Sequence, residues 1–313
     1  MRSLIIGSRG SQLALRQAEL VRQALLKNHP GVEIDIQIIK TTGDRMSQTD
    51  LSELAASTKG LFVKEIEEAL LDKRIDIAVH SLKDLPTELP EKLELGAIPK
   101  REDPRDTLVS ETVIRSLSVL PPQANIGTSS LRRRLQLQNL RPDLAISPIR
   151  GNVDTRISKV AKGHLDGVVL AAAALNRLDL NHLISYTFSV DEMVPAVGQG
   201  ALALEIRSEE SHLRELVLSL DHPSTRICAL AERAFLLKMG GGCEVPMGAH
   251  AWILNKKAGF TAFVGHPSGS ESLRRTAKST AVDLKNLALS TAEDLLADGA
   301  GEFLKELDIE NRT

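Results

Sequence analysis

The pattern of hydrophobic and polar positions predicts alternating strands and helices at the start of the chain. An apolar run from Leu4 to Gly7 predicts a buried strand, and residues 32–38 alternate as in a half-buried strand. Between them lies a predicted helix whose apolar face consists of Leu13, Ala14, Ala18, Val21 and Leu25. These segments predict a β-α-β unit with parallel strands and a right-handed crossover. A further helix at residues 62–70 leads to the next strand.

That next strand begins a stretch, Ile75 to Pro90, in which a hydrophobic alternation stops at polar side chains. The alternation covers residues 75–79, and it is followed by four groups that donate, accept or carry charge: His80, Ser81, Lys83 and Asp84. In parallel α/β sheets, ligands bind beyond the carboxyl ends of the strands. Pro86 and Pro90 argue against a helix directly after this strand. The alternative interpretation is a turn with a solvated lysine and aspartate.

The same order of elements recurs after a charged, proline-broken linker at residues 100–106. A strand at 126–127 precedes a hydroxyl-rich turn, and the helix that follows carries Arg132, Arg133 and Arg134. A strand at 144–149, a helix from about Asp154, a strand at 167–171 and a short helix with Arg177 complete a second α/β lobe. Two facing lobes would bring the hydroxyl and guanidinium groups of both into one cleft.

The pattern changes after His222 and predicts a small third α/β domain. A helix with an apolar face at Ile227, Leu230, Ala231, Ala234 and Leu237 ends at three glycines, 240–242, and Cys243 follows. Strands are predicted near 249–254, 259–264 and 272–277, and a helix follows at about 281–297.

Composition limits the class of protein. A chain of 313 residues, 42% of them hydrophobic, is long enough for two or three cores. It contains no apolar run of the roughly 20 residues that span a bilayer, and its first residues do not resemble a signal peptide. Two cysteines do not make a disulfide framework. We therefore expect a soluble, cytoplasmic protein without a membrane partner.

Positive charge is concentrated in the predicted second lobe. Residues 126–177 hold nine Lys or Arg against three Asp, although the whole chain has a net charge of -2. Gly127 to Arg134 places backbone N–H groups, hydroxyls and guanidiniums at a helix start, which suits an anion; a capped helix with a solvated basic face is the alternative. Arg150, Arg156 and Arg177 favour carboxylate or phosphate recognition. With 3% aromatic residues, we expect no nucleic-acid partner.

The two cysteines differ in their surroundings. Cys243 follows three glycines, which allow close approach or movement of the backbone and leave a thiol open to covalent chemistry. Its alternative role is that of a small hydrophobic side chain. Cys228 lies within the predicted helix and is expected in the core. Neither belongs to a metal-binding motif, and we expect no metal.

Five segments, taken together, closely resemble the hydroxymethylbilane synthase family, also called porphobilinogen deaminase. They are AVHSLKDLP (78–86), GTSSLRR (127–133), RGNVDTR (150–156), PAVGQG (195–200) and GGCEVP (241–246). KGLF (59–62) and SRGS (8–11) extend the resemblance over nearly the whole chain. A single segment of this kind would be weak evidence for the family. Five of them in the same order as in the family make a coincidence implausible.

The resemblance implies an α/β fold with two lobes like those of periplasmic binding proteins around a cleft. A small C-terminal α/β domain with a three-stranded antiparallel sheet completes it. The implied domains are residues 1–100 with 200–219 as the catalytic lobe, residues 101–199 as the anion-binding lobe, and residues 220–313 as the cofactor-attachment domain. We also expect a monomer.

The resemblance also implies a transferase of tetrapyrrole (porphyrin, haem) biosynthesis. Such an enzyme deaminates four porphobilinogen molecules and joins them head to tail into the linear tetrapyrrole hydroxymethylbilane, on a dipyrromethane cofactor held through a thioether. By motif, Asp84 is the catalytic carboxylate and Cys243 the covalent attachment point. The implied cofactor contacts are Lys83, Asp84, Thr128, Ser130, Arg132, Arg133, Arg150 and Gly151. The implied substrate contacts are Arg9, Ser11, Lys59, Phe62, Ser81, Arg150, Arg156, Arg177 and Gln199.

Two points remain open at the level of the sequence. Residues 41–60 contain few large apolar side chains, which predicts a long mobile loop of the kind that acts as a lid. Family members often carry a lysine in this loop where the chain has Ala55-Ala56, which puts in doubt a lysine contact there.

The competing function is a two-lobed anion-binding protein without catalysis. That function explains the lobes and the arginines, but not the glycine-flanked thiol.

Overall fold

The structure, a computed structural model, describes residues 3–42, 63–240, 246–255, 257–303 and 305. The predicted lid at residues 41–60 lies outside this range apart from its first two residues, as do the predicted site residues Lys59, Phe62 and Cys243. The chain divides into two compact units, Met1–Glu102 with Ala201–Arg226 and Asp103–Gly200 with Ile227–Thr313.

Thirteen strands and eight α-helices are present in the described chain. The strands are β1 (Leu4–Ser8), β2 (Ile34–Ile38), β3 (Ile77–Ser81), β4 (Leu93–Ala97), β5 (Asp106–Ser110), β6 (Asn125–Gly127), β7 (Ala145–Ser147), β8 (Gly167–Ala171), β9 (Tyr186–Thr187), β10 (Leu202–Arg207), β11 (Met247–Leu254), β12 (Lys257–Gly265) and β13 (Ser272–Thr280). The helices are α1 (Gln12–Asn28), α2 (Lys64–Leu71), α3 (Leu131–Leu140), α4 (Val153–Ala161), α5 (Ala172–Arg177), α6 (Ser211–Leu218), α7 (Pro223–Lys238) and α8 (Leu284–Leu295).

The first unit contains a five-stranded sheet in the order β2-β1-β3-β10-β4. The predicted β-α-β unit is confirmed, since β1 and β2 pair in parallel across α1. The sheet is mixed, because β10 pairs antiparallel with both β3 and β4. Strand β10 comes from the apolar run after residue 200, so the chain returns to this sheet late in the sequence.

Both faces of this sheet are covered by helices. Ile77 and Val79 of β3 pack with α1 residues in one cluster, whereas Ala78 packs with α2 residues in another. Because side chains alternate along a strand, His80 points to the same face as Ala78, toward α2. The expectation that no helix directly follows this strand is wrong. A three-residue 3₁₀ turn, Leu82–Asp84, comes at once, because it ends before Pro86 and so does not need that proline's missing N–H.

The second unit contains another five-stranded sheet, in the order β7-β6-β8-β5-β9. The predicted strand-turn-helix elements around residues 126–177 are confirmed as β6, α3, β7, α4, β8 and α5. Residues 100–106 are not wholly a linker, because Asp106 is the first residue of β5 and is fully buried. Strand β5 runs antiparallel to β8, so this sheet is also mixed.

The C-terminal sheet has three antiparallel strands, β11-β12-β13, as predicted. Helix α7 was predicted correctly, but only part of its apolar face was, since Ala231 is buried as predicted. Ile227, Leu230 and Leu237 are exposed by 40%, 41% and 53%. The core stripe consists instead of Cys228, Ala231, Phe235 and Met239, which pack with the sheet and α8. The prediction that Cys228 belongs to the core is therefore confirmed.

Candidate functional site

A pocket lies in the first unit where the parallel strands β1 and β3 end. Its lining residues are Arg9, Ser11, Leu13, Ala14, Gln17, Val63, Ile66, Val79, His80, Ser81 and Asp84. Four of the predicted site residues meet here: Arg9 and Ser11 follow β1, whereas Ser81 ends β3 and Asp84 follows it. The edge at which parallel strands end is the general ligand-binding position in such sheets.

Helix α1 fixes the hydroxyl groups of this pocket. Ser11 is the N-cap of α1, and its Oγ accepts a hydrogen bond from the Ala14 N–H at 3.3 Å. Gln17, one turn further, is buried and donates from Nε2 to Ser81 Oγ at 3.1 Å. The sequence interpretation missed Gln17, although a glutamine on the apolar face of a helix was a usable signal.

Asp84 lies at the end of the 3₁₀ turn with an exposed side chain. The turn is anchored on both sides, because Leu82 and Leu85 are buried and the Leu82 N–H donates to Ala201 O at 3.0 Å. Lys83 is half-buried in the same turn. The backbone therefore holds the Asp84 carboxylate at the pocket wall, where it can stabilise positive charge on a bound molecule.

Two acidic residues, the fully buried Glu205 and the half-buried Glu67, lie behind the pocket and were not predicted from the sequence. His80 Nε2 is 2.9 Å from Glu205 Oε2, and both side chains are at most 5% exposed. Burial and the charge of Glu205 raise the pKa of Glu67 on α2, His80 lowers it by a smaller amount, and the net result is a pKa of about 7. An ionisation near neutrality therefore lies next to a residue that lines the pocket.

In the second unit, the start of α3 is a turn with two predicted contact residues. Ser130 is the N-cap of α3 and accepts from the Arg133 N–H at 3.4 Å. Thr128 is buried, and its Oγ1 accepts from the Ser130 N–H at 3.2 Å. Arg132 and Arg133, in the first turn of α3, therefore follow a turn that is held by its own hydrogen bonds.

Asp106 is the centre of a buried ionic cluster that the sequence interpretation missed. Its Oδ2 accepts from Arg132 Nη1 at 2.8 Å, and its Oδ1 accepts from Arg133 Nε at 2.9 Å and Nη2 at 2.7 Å. Gln199 Nε2 donates to the same Oδ1 at 3.0 Å. One carboxylate therefore holds three of the predicted site residues, and the cluster keeps a net positive charge.

Opposing effects act on the Asp106 carboxyl. Burial alone would raise its pKa, but the charges of Arg132 and Arg133, with their hydrogen bonds, outweigh burial and hold the pKa well below its usual range. A depressed carboxyl pKa contributes stability above the unfolded-state pKa of about 3.9. The contribution of Asp106 is thus complete at neutral pH and is lost only as acid lowers the pH toward its folded-state pKa.

Asp106→Asn should therefore destabilise the protein strongly. Removing one partner leaves two buried guanidiniums without a counter-charge, which costs about 3–5 kcal/mol of unfolding free energy. Urea titration at neutral pH would measure the change. Asp143→Asn is the control, because Asp143 pairs with Arg141 at the surface, and it should leave the unfolding midpoint almost unchanged. Equal effects of the two substitutions would contradict this role of Asp106.

Arg150, Gly151 and Arg156 form a more open group beyond β7. Arg156 Nε donates to Gly151 O at 2.7 Å, and Arg150 is exposed. Gly151 has φ +107, and a Cβ there would lie 2.8 Å from Thr155 Cγ2, so glycine is required. Burial, together with the charge of Arg133, lowers the pKa of Arg156. Within the described ranges no carboxylate pairs with Arg150 or Arg156, which leaves both guanidiniums able to take an anion.

The remaining predicted residues of this unit lie in buried backbone contacts. Arg177 Nη2 donates to Gly200 O at 2.6 Å, and Gln199 Nε2 also donates to Pro104 O at 2.8 Å. Arg177 is therefore bound to the turn-rich segment 195–200, and Gln199 binds that segment to the chain just before β5. No cluster of three His, Cys, Asp or Glu suited to a metal ion occurs in the described part of the chain.

Comparison with known sequences gives a consistent result along the whole chain. The family profile described as "Porphobilinogen deaminase, dipyromethane cofactor binding domain" matches residues 4–215, and "Porphobilinogen deaminase, C-terminal domain" matches residues 226–298. A porphobilinogen deaminase of Geobacter sulfurreducens is 46% identical over 97% of this chain and 94% of its own length. One of Nitratidesulfovibrio vulgaris is 47% identical over 98% and 97%.

Comparison with solved structures returns ligand-binding proteins at low similarity. An arginine-specific periplasmic binding protein of Salmonella typhimurium has 14% identity and a TM-score of 0.41, covering 70% of this chain and 92% of its own. The periplasmic VFT2 domain of Bordetella pertussis BvgS has 13% identity and a TM-score of 0.42, covering 70% and 86%. These TM-scores are below 0.5 and carry no weight for function. Among the helices described, none is long and apolar enough to cross a membrane.

Proposed function

The chain belongs to the porphobilinogen deaminase family, and we propose that Asp84 is the carboxylate with which it performs the family's reaction. The enzyme is a transferase that deaminates four porphobilinogen molecules and joins them into a linear tetrapyrrole, for porphyrin and haem biosynthesis. The observation that carries this function is the match to porphobilinogen deaminases over at least 97% of the chain. A non-catalytic anion-binding protein has no comparable support.

The proposed role of Asp84 follows from the charge that deamination creates. Loss of ammonia from an aminomethylpyrrole leaves a positive charge spread over the ring. A carboxylate held near the pyrrole nitrogen stabilises that charge where it develops. The same carboxylate can hold the proton that the coupled ring loses from its α-carbon. The anchored 3₁₀ turn supports this role, since it fixes Asp84 at the pocket wall beside Arg9 and Ser11.

The arginines of the second unit suit a ligand rich in carboxylates. Each pyrrole unit carries an acetate and a propionate, so a chain of pyrroles is strongly anionic. Arg150 and Arg156 lack acidic partners in the described ranges, and Arg132 and Arg133 share a single carboxylate. This surplus of positive charge fits a dipyrromethane group. We propose that Lys83, Asp84, Thr128, Ser130, Arg132, Arg133, Arg150 and Gly151 hold the cofactor, and that Arg9, Ser11, Lys59, Phe62, Ser81, Arg150, Arg156, Arg177 and Gln199 contact substrate.

The dipyrromethane group, when bound, supplies the free α-carbon to which the first substrate ring is joined. We propose Cys243 as its covalent attachment point, from the glycine-flanked motif GGCEVP at 241–246. Cys228 does not suit this role, because it is 6% exposed within the core of the C-terminal sheet. The assignment therefore rests on the sequence motif and on the burial of the other cysteine.

The finer organisation is also a proposal. We propose three domains, with residues 1–100 and 200–219, 101–199 and 220–313, because three separate sheets fall within these ranges. We further propose that the enzyme is a cytoplasmic monomer without a nucleic-acid partner. Gel filtration with light scattering tests whether the enzyme is a monomer, and cell fractionation tests whether it is cytoplasmic.

Arg156→Leu tests both the function and the carboxylate contact. Wild type given porphobilinogen should release ammonia, form the tetrapyrrole, and show successive pyrrole additions in the protein mass. The variant should lose a charge-assisted hydrogen bond worth about 1.5–3 kcal/mol and stall during elongation. Arg115→Leu, a change at an exposed arginine of the same unit, should elongate normally. Wild type that binds porphobilinogen without forming product would favour the non-catalytic alternative.

A further inference from the structure

Three titratable side chains meet between the first sheet and helix α2. Glu205 of β10 stands opposite Ala78 of β3 in the strand register, and the small alanine side chain leaves room for the carboxylate. His80 is two residues further along β3 on the same face, and its Nε2 is 2.9 Å from Glu205 Oε2. Glu67 lies on α2, and Ile66 and Leu70 of this helix belong to the same core cluster as Ala78.

Each carboxyl has one oxygen that the described chain leaves without a hydrogen bond. Glu205 is fully buried, yet only its Oε2 has a partner, and Oε1 has none among the described residues. Glu67 Oε1 is also buried without a partner in that part of the chain. An ionised carboxylate only accepts hydrogen bonds, whereas a protonated carboxyl can also donate one. Because a buried ionised oxygen without a partner is costly, burial favours the protonated form of one of these carboxyls.

The electrostatics agree with that placement of the proton. Burial and the negative charge of Glu205 together raise the pKa of Glu67 to about 7, and His80 lowers it by a smaller amount. Glu67 is therefore protonated in mildly acidic solution and ionised in mildly basic solution. As the pH rises through neutrality, Glu67 loses its proton and the cluster gains a negative charge.

The cluster reaches the proposed deamination site through His80, which lines the same pocket as Ser81 and Asp84. We propose that Glu205 and Glu67 are positioning residues of this site: Glu205 holds the His80 imidazole at the pocket wall, and the proton on Glu67 sets the net charge behind it. The inference rests on the proposed role of the Asp84 pocket. Deamination develops positive charge on the substrate ring, so an added negative charge behind the pocket stabilises the transition state.

Other charged groups on the surrounding elements are engaged elsewhere or point to solvent. Arg207, also on β10, binds Asp76 at 3.0 Å and pairs with Glu210, and Glu94 of β4 binds Arg214 at 2.6 Å. On α2, Lys64 and Glu68 are exposed, and Glu65 binds the Thr42 N–H at 2.7 Å. Arg9 and Asp84 line the pocket, and Lys83 lies in the same turn as Asp84. Of all these, only Glu205 and His80 act on the pKa of Glu67 within the described chain.

The first test observes the proton directly, without substrate. In the cofactor-loaded enzyme labelled with ¹³C, one glutamate side-chain carboxyl NMR signal should show an inflection near pH 7 from Glu67, well above the ordinary glutamate pKa of about 4.3. Glu67→Gln should abolish that inflection. Glu68→Gln is the matched control on the same helix, exposed and one residue away, and it should keep the inflection. An inflection that persists in Glu67→Gln would overturn the proposal.

Glu205→Gln tests whether the two carboxyls interact. Without the charge of Glu205, the Glu67 inflection should move to lower pH. An unchanged inflection would show that Glu205 does not act on Glu67 and would refute the cluster. If this variant fails to fold, the comparison of Glu67→Gln with Glu68→Gln decides the question alone.

Stability against pH gives a second readout that is independent of activity. A raised carboxyl pKa means that the folded state holds a proton that the unfolded state releases at about pH 4.3. Wild-type stability should therefore fall as pH rises from there to about 7, and then level off. Glu67→Gln should lack this decline, whereas Glu68→Gln should retain it. A decline of equal size in Glu67→Gln would contradict the proposal.

The pH dependence of kcat connects the cluster to the reaction. Wild-type kcat should rise through neutrality as Glu67 ionises, and Glu67→Gln should lose that rise with KM changed less than twofold. A merely structural role predicts an unchanged pH profile, which would overturn the proposal. If no tetrapyrrole forms at all, the proposed function is wrong. The NMR and stability measurements still show whether Glu67 holds a proton near neutral pH, because they need no substrate.

Discussion

Asp84→Asn should lose nearly all turnover while keeping the dipyrromethane cofactor. Asparagine has nearly the same shape, so the anchored turn at Leu82–Asp84 should persist, but the amide cannot stabilise a cationic ring or hold its proton. We expect kcat to fall at least a hundredfold, a barrier increase of about 2.7 kcal/mol or more. Steady-state rates of porphobilinogen consumption measure this loss, and the mass of the acid-denatured protein reports the retained cofactor.

The control for Asp84→Asn is Glu88→Gln, which removes an exposed carboxylate from the same loop. It should leave kcat within about twofold of wild type, because Glu88 is not among the residues that line the pocket. A general effect of lost negative charge would instead lower kcat in both variants. A rate above one tenth of wild type in Asp84→Asn corresponds to a barrier change under about 1.4 kcal/mol. That result would remove the catalytic role from Asp84.

Regular periodicity is what made the order of elements predictable. Residues 4–38 alternate or repeat with clear spacing, and the structure has β1, α1 and β2 at those places. The C-terminal strands were equally clear. Where two apolar stripes run along one helix, however, spacing cannot choose between them. Helix α7 presents both Ile227-Leu230-Leu237 and Cys228-Ala231-Phe235, and only packing against β11 and α8 buries the second.

The predicted site divides in a similar way. Motif residues that follow strand ends, such as Arg9, Ser81 and Asp84, were found because polar groups interrupt an apolar pattern. Asp106 was missed because it stands in a run of charges, where nothing local distinguishes a buried carboxylate from a solvated one. Its partners Arg132 and Arg133 are 26 and 27 residues away. The His80–Glu205 pair spans 125 residues, and only the antiparallel return of β10 brings it together.

These missed residues share a physical role. Asp106 and Glu205 are fully buried carboxylates: Asp106 holds two arginines of the predicted site, and Glu205 holds His80 at the wall of the pocket. Burying a charge is costly unless it is paired, so each is matched to its partner at hydrogen-bonding distance. The sequence identifies groups that meet a ligand, whereas the groups that orient them depend on tertiary contacts. The candidate site is therefore larger than its motifs.

The attachment of the cofactor makes the sharpest prediction of all. Wild-type protein, denatured in acid, should exceed its sequence mass of 34.0 kDa by a two-pyrrole unit, because a thioether survives unfolding. Cys243→Ser should lose both the adduct and essentially all activity, since a serine hydroxyl is far less nucleophilic than a thiolate and elongation then has no starting ring. Intact-protein mass spectrometry and an assay of tetrapyrrole formation measure the two losses.

Cys228→Ala is the matched control, because it removes the other thiol from the core without burying a hydroxyl. Its mass should still include the adduct and its turnover should remain, even if the small cavity lowers its stability. The two variants separate loss of attachment from loss of folding. If removal of a thiol inactivated the enzyme merely by unfolding it, Cys228→Ala would lose activity as well as Cys243→Ser. Wild type found at bare sequence mass yet fully active would show that the reaction needs no covalent primer. An adduct retained in Cys243→Ser would instead place the attachment at a different nucleophile.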